Sequence, residues 1–174
     1  MIHQHSEFHV VKRFVAMGPF RDWINIPFFP TGFAVLWQYN RDESVIGRHL
    51  KEIDLVSIAS QDGYSVTLGE YKMLFPFLCH TDNLHKPIPS FNYHQWKIWK
   101  TKLRKTKVWI FEAKTSKGSM LQALGQILVY RDLFHRDYPE TEIVGCGIIN
   151  EVTGEIDMLT EETCHSLNIE VFRI

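Results

Sequence analysis

The sequence predicts an α/β domain, a central mixed β-sheet flanked by helices. Three observations lead there. Val108 to Lys114 is a β-branched and aromatic run that reads as a strand, Ser119 to Asp137 is helical in pattern, and Ile143 to Asn150 is strand-like again. Together these make one βαβ unit, whose crossover should be right-handed. Upstream, Ile53 to Ser60 is a further apolar strand run. At 174 residues, 45% hydrophobic and 13% aromatic, the chain can bury one sizeable core, so residues 1–174 are expected to form a single domain.

The elements follow in order. Glu7 to Met17 has helical character, ended by Gly18-Pro19. Phe20 to Thr31 is aromatic and proline-rich, which predicts a packed loop, and Gly32 to Tyr39 reads as the first core strand. Ile53–Ser60 and Tyr64–Lys72 make a hairpin around Gln61-Asp62-Gly63. Residues 73–106 form an insertion, with prolines at 76, 87 and 89 and then a basic, aromatic segment. Val108 to Lys114 is the central strand. The helix from Ser119 to Asp137 takes Ser119 as N-cap, puts Leu121, Leu124, Leu128 and Leu133 on its buried side, and stops at Tyr138-Pro139. Ile143 to Asn150, Glu155 to Leu159 and Ile169 to Ile174 read as strands, and Thr160 to Leu167 as a short helix capped by Thr160. The chain has no repeat, low-complexity tract or obvious linker.

A formal net charge of −1 and a pI near 6.7 do not by themselves announce a nucleic-acid partner. The distribution of charge says more. Lys97, Lys100, Lys102, Arg104, Lys105 and Lys107 lie close together with no acid among them, and Tyr93, Trp96, Trp99 and Trp109 are interleaved. Such basic side chains neutralise phosphates, and aromatic faces stack on unpaired bases. The tryptophans read equally well as the buried side of an amphipathic helix. Cys79, Cys146 and Cys164 are scattered, no CxxC occurs, and neither a signal peptide nor a long apolar span is present. That predicts a reduced, intracellular, soluble protein of the cytoplasm with no membrane partner. Among the nine histidines, His3, His5 and His9, or His80 and His85 beside Cys79, lack the paired spacing of structural zinc. No Gly-rich phosphate loop, nucleophile elbow or G-x-G-x-x-G fingerprint occurs.

Alternation along a strand puts Glu112 and Lys114 on one face, and helical spacing stacks Gln122, Gln126 and Tyr130. Asp54 opens the apolar run upstream. A carboxylate and an amine side by side at a strand end, opposite a polar helix stripe, suit metal-assisted phosphodiester chemistry. That reaction needs charge stabilised on phosphorus and a nucleophile generated near neutral pH, which one or two divalent cations supply. Mg²⁺ does so on as few as one or two carboxylates.

Taken in order, Ile53-Asp54-Leu55-Val56, Glu112-x-Lys114 and Gln126-x-x-x-Tyr130 resemble the PD-(D/E)XK nuclease superfamily, which includes type II restriction enzymes, Holliday-junction resolvases and RecB-like nucleases. The resemblance covers about residues 40 to 150. It implies a restriction-endonuclease-like core with an insertion before the Glu-x-Lys strand. It also implies a Mg²⁺- or Mn²⁺-dependent nuclease that hydrolyses DNA in repair, recombination, or mobile-element or viral DNA processing. Asp54, Glu112 and the carbonyl of Ala113 would hold the metal. Lys114 would orient or deprotonate the attacking water or stabilise developing charge, the second only if its pKa were lowered. Gln126 and Tyr130 would support the site or touch the nucleic-acid backbone. Glu7 and Glu43 are rival first-helix acids, and Arg48 and His49 are candidate substrate contacts. Glu70-x-Lys72 is a second Glu-x-Lys, disfavoured by Gly69 and by the Phe75-Pro76-Phe77 that follows it. DNA is thus the expected partner, together with a second copy of the chain, since two cuts need two sites. The alternative is a catalytically inactive nucleic-acid-binding or assembly protein on the same scaffold.

Overall fold

The computed structural model describes residues 4–17, 19–20, 23–59, 91–115, 119–151 and 157–174. In chain order these form α1 (Gln4–Met17), β1 (Ile24–Thr31), α2 (Phe33–Tyr39), α3 (Glu43–His49), β2 (Lys51–Ile58), α4 (Tyr93–Lys102), β3 (Lys107–Lys114), α5 (Met120–Asp137), β4 (Glu142–Asn150), α6 (Met158–Ser166) and β5 (Ile169–Arg173). The strands make one five-stranded sheet in the order β1-β2-β3-β4-β5. Its first half is an antiparallel meander, and its second half, from β3 onward, is parallel. The expected mixed sheet with flanking helices is therefore present.

Strand alternation divides the core into two layers. Val56, Ile58, Val108 and Ile110 face a cluster with Ala123, Leu124, Ile127 and Phe134 of α5 and with Trp96, Trp99 and Leu103. Leu55, Phe111, Ala113 and Ile149 face the other way, onto Val10, Val11 and Phe14 of α1. Glycines on β4 make room for rings on this second side. Gly147 pairs with Phe111, and a Cβ there would lie 2.7 Å from Phe111 and 2.8 Å from Phe172.

Several expectations need correction. Ile24–Thr31 is a strand and not a loop, because β1 is an edge strand where Pro27 and Pro30 can sit without a ladder donor. Phe33–Tyr39 is a helix and not the first strand; its apolar run carries no period that separates the two states. Gly32 starts it at φ +98°, a conformation that favours glycine. On α5 Ser119 is the N-cap as expected, but Leu121 is 66% exposed, and Met120, Ala123, Leu124, Ile127, Tyr130 and Phe134 form the buried side. Met158 and Leu159 begin α6 instead of ending a strand, and Asp157, not Thr160, caps it by accepting the Thr160 N–H. The Tyr64–Lys72 hairpin, Glu70, Lys72, Cys79 and residues 152–156 lie outside the described residues.

One buried carboxylate ties these pieces together. Asp137, at the end of α5, accepts the Thr31 hydroxyl at 3.1 Å, the Gly32 N–H at 2.8 Å and the Ala34 N–H at 2.7 Å. Its backbone carbonyl accepts the Trp96 indole N–H at 3.2 Å. Burial pushes its carboxyl up to about 6, against the pull of those donors. No helix among the described residues is long and apolar enough to cross a membrane.

Candidate active site

β2 and β3 run antiparallel with Leu55 against Phe111, which brings Asp54 alongside Glu112 at one end of the sheet. The ladder closes there through a side chain, since the Ala113 N–H donates to Asp54 Oδ2 at 2.8 Å. On the other side of Asp54 the β1–β2 register skips Phe28, between Pro27↔Leu55 and Phe29↔Ile53. Phe28 has φ +54°, an uncommon conformation for a bulky residue that is kept where the surroundings enforce it.

Lys114 Nζ lies 2.6 Å from Glu112 Oε1 and 3.1 Å from Glu7 Oε1. Glu112 and Lys114 are both buried, so this is an interior ion network. Glu112 Oε2 is buried and accepts no hydrogen bond among the described residues. Glu7, Asp54 and Glu112 line a cavity of about 330 Å³ with Phe28, Leu50, Lys51, Glu52, Gln126 and Tyr130, and Lys114 adjoins it through its contacts with Glu7 and Glu112. Gln126 Nε2 sits 3.5 Å from the Tyr130 hydroxyl, while Gln126 Oε1 is buried with no donor among the described residues.

The electrostatics follow from burial. Asp54 is raised well above the usual carboxylate range, first by burial and then by the charge of Glu112. Glu112 is raised by burial, against the hydrogen bond and charge of Lys114. A proton on either acid lets the two carboxyls hydrogen-bond to each other. Burial alone would lower the Lys114 ammonium, but Glu112 and Glu7 outweigh it and raise its pKa, so the amine is held protonated. Tyr130 is pushed up to about 12 by burial and by the charges of Glu112 and Asp54, so it remains a phenol and a donor.

The fold thus brings together Asp54, Glu112, Lys114, Gln126 and Tyr130, and of the two rival first-helix acids it brings Glu7 and not Glu43. Glu43 Oε1 instead accepts the Tyr93 N–H at 3.3 Å. Ala113 contributes its N–H to the assembly. Glu52 is an addition from the structure: it lines the cavity, and burial raises its carboxyl. Its position two residues before Asp54 on one strand was the signal available for it. Arg48 and His49 are exposed on the last turn of α3, just before the cavity-lining Leu50 and Lys51.

The basic segment divides. Trp96 and Trp99 are core residues, and Trp109 packs on Phe20 and Phe111, so their rings are not free stacking faces. Lys97 and Lys100 are exposed on α4, Lys107 is exposed at the start of β3, and Arg104 pairs with Glu140. Lys105 takes φ +59° and donates its N–H to the Glu140 carbonyl at 2.8 Å, while Lys102 is half-buried.

Among the described residues no group of three or more His, Cys, Asp or Glu side chains has a metal-holding arrangement. The donors present are nonetheless hard oxygens, one of them buried without a donor, and two carboxylates with water suffice for Mg²⁺. Asp54 and Glu112 therefore fit a small divalent cation. Comparison with known proteins returns no matching family model, no similar curated protein and no similar solved structure.

Proposed function

We propose that the protein is a metal-dependent nuclease that hydrolyses DNA phosphodiester bonds, on a restriction-endonuclease-like core of the PD-(D/E)XK type. The observation that carries this reading is the convergence of two buried carboxylates, Asp54 and Glu112, on one cavity, with Glu112 Oε2 lacking a donor among the described residues. Asp54 and Glu112 would hold Mg²⁺ or Mn²⁺, with Glu7 beside them and the Ala113 carbonyl a further candidate ligand. When bound, the cation supplies charge stabilisation at phosphorus and a more acidic water.

The chain's own groups have distinct parts. Lys114, kept protonated by its two carboxylates, holds Glu112 and Glu7 in place and lends positive charge beside the site, and serves as orienter instead of base. Tyr130 and Gln126 present hydrogen-bonding groups from α5 to the cavity. Lys51 lines the cavity, and Arg48 and His49 stand exposed on the helix turn just before it, on a side from which a nucleic-acid backbone would enter. A second copy of the chain would supply the second cut of a duplex.

The test is incubation of labelled single-stranded, duplex and branched DNA with Mg²⁺, Mn²⁺ or EDTA, beside Glu112→Gln and Asp54→Asn. Metal-dependent cleavage lost in both variants is the expected result. Full activity in either one sinks the site assignment. The second reading is an inactive nucleic-acid-binding or assembly protein. It is favoured by the Lys114–Glu112 contact of 2.6 Å, which balances one site carboxylate within the chain. Salt-sensitive DNA binding with no turnover in any metal would establish it.

A further inference from the structure

Beside α3 lies a pile of rings and cations that the proposed chemistry does not use. Trp37 of α2 stacks on Tyr93 of α4, with ring centroids 4.6 Å apart and planes 25° from parallel. The buried Phe33 backs both rings, 5.8 Å and 20° from Trp37 and 6.4 Å and 45° from Tyr93, so the three form a triangular cluster. Both Trp37 and Tyr93 are half-buried, so part of each ring meets solvent. Cations lie over both rings. Arg41 Cζ lies 5.9 Å from the Trp37 centroid and Lys97 Nζ lies 5.1 Å from the Tyr93 centroid. Lys100 is one turn further along α4, 5.2 Å over the Trp96 ring. Arg41, Lys97 and Lys100 are all exposed, and none makes an ion pair with an acid among the described residues.

The geometry points to this pile as a stacking platform for an unpaired nucleotide: a single-stranded nucleic-acid segment rests a base on Tyr93 or Trp37 and its phosphates on Lys97, Arg41 and Lys100. A nucleotide satisfies both halves of each cation–ring pair at once. It offers a π-face to the ring and an anionic oxygen to the cation it displaces. An acidic peptide would engage the cations but leave the rings without a planar partner.

The platform has a fixed relation to the cavity. Glu43, at the start of α3, accepts the Tyr93 N–H, and the helix runs to His49, after which Leu50, Lys51 and Glu52 line the cavity. Helix α3 is about 10 Å long. A strand held at the platform therefore reaches the carboxylates within a few nucleotides. Only this last step rests on the nuclease reading; the binding itself does not.

The experiment is fluorescence anisotropy in EDTA with labelled oligodeoxyuridine, oligouridine and a blunt duplex of equal length, with tryptophan quenching as a second signal. Tighter binding of either single strand than of the duplex is expected, and the tighter of the two names the preferred sugar. Tyr93→Leu should weaken it roughly tenfold or more, the range of one lost base stack. Arg41→Glu and Lys97→Glu, at exposed positions that spare the fold, should weaken it and flatten its salt dependence. Equal or tighter duplex binding, or unchanged affinity in both charge-reversal variants, overturns the inference. Binding is read without metal, so intact platform binding here together with no cleavage in the Mg²⁺- or Mn²⁺-containing assay would sink only the nuclease reading. Cleavage with single-strand affinity untouched by these variants would sink only the platform.

Discussion

Phe28 and Asp54 occupy facing positions of the β1–β2 ladder, and the ladder breaks there, with Phe28 at φ +54°. The break leaves Asp54 free to turn one oxygen to the Ala113 N–H and to line the cavity with the other carboxylate, Glu112. Two buried acids at such a point destabilise the fold that holds them. Asp54→Asn keeps an acceptor for Ala113 and removes a charge that burial and Glu112 disfavour. In EDTA at neutral pH this variant should be more stable than the wild type by about 1 kcal/mol, within the usual range for relieving a functional site. It should also lose any stabilisation by added Mn²⁺. Parallel thermal melts with and without the metal check both, and a lower midpoint in EDTA would refute the cost assigned to the paired buried charges.

Lys114 is the opposite case. Its side chain and that of Glu112 are 6% and 2% exposed, so removing the ammonium strands a buried carboxylate. Lys114→Met should cost about 3 kcal/mol at pH 8, the lower end for breaking a buried pair. The sign with pH is fixed. Glu112 already binds its proton more tightly folded than unfolded, and losing Lys114 raises it further, so the variant regains stability as pH falls. Urea unfolding at pH 8 and pH 5 should show the gap to the wild type narrowing in acid.

Asp137 predicts a second pH effect, far from the chemistry. Its carboxyl titrates near 6 folded against 3.8 for the free side chain, so the folded state binds the extra proton between those values. Stability contributed by this group is therefore greatest below pH 4 and falls as pH rises to about 6, by up to about 3 kcal/mol. Asp137→Asn lacks that titration. The difference in unfolding free energy between wild type and variant should slope across pH 4 to 6; a flat difference would show that the donors balance burial, and the opposite slope that they outweigh it.

The sheet makes a steric prediction. Gly147 sits under Phe111, and an alanine there would place its Cβ 2.7 Å from that ring and 2.8 Å from Phe172. Gly147→Ala should cost about 1–3 kcal/mol, the range for overpacking a filled core. Gly125→Ala, which meets nothing within 4 Å, should not. Chemical denaturation of the pair reads the contrast directly.

How much of this was legible depended on periodicity. β3, α5 and β4 carry strong patterns and a clear Ser119 cap, so the strand bearing Glu112 and Lys114 and the helix bearing Gln126 and Tyr130 could be placed from residues alone. Asp54 followed from its position at the start of an apolar run. β1 was hidden because Pro27 and Pro30 argue against a strand unless its edge position is known. The choice of Glu7 over Glu43 was beyond reach, since it rests on a contact 107 residues apart in sequence. For Trp96 and Trp99 the buried-face alternative held, because tertiary packing decided which side of α4 faced in.

The pairing of Ile58 with Val108, and of the Ala59 N–H with the Lys107 carbonyl at 2.9 Å, has a consequence for how such a chain can diversify. Residues 59–106 leave and rejoin the sheet at the end opposite to Glu112 and Lys114, with the rest of β3, roughly 20 Å of strand, in between. Segments can lengthen, shorten or be exchanged at that far end while the register that aligns the carboxylates is preserved. Recognition and reactivity are thereby placed under separate selective control within one small sheet.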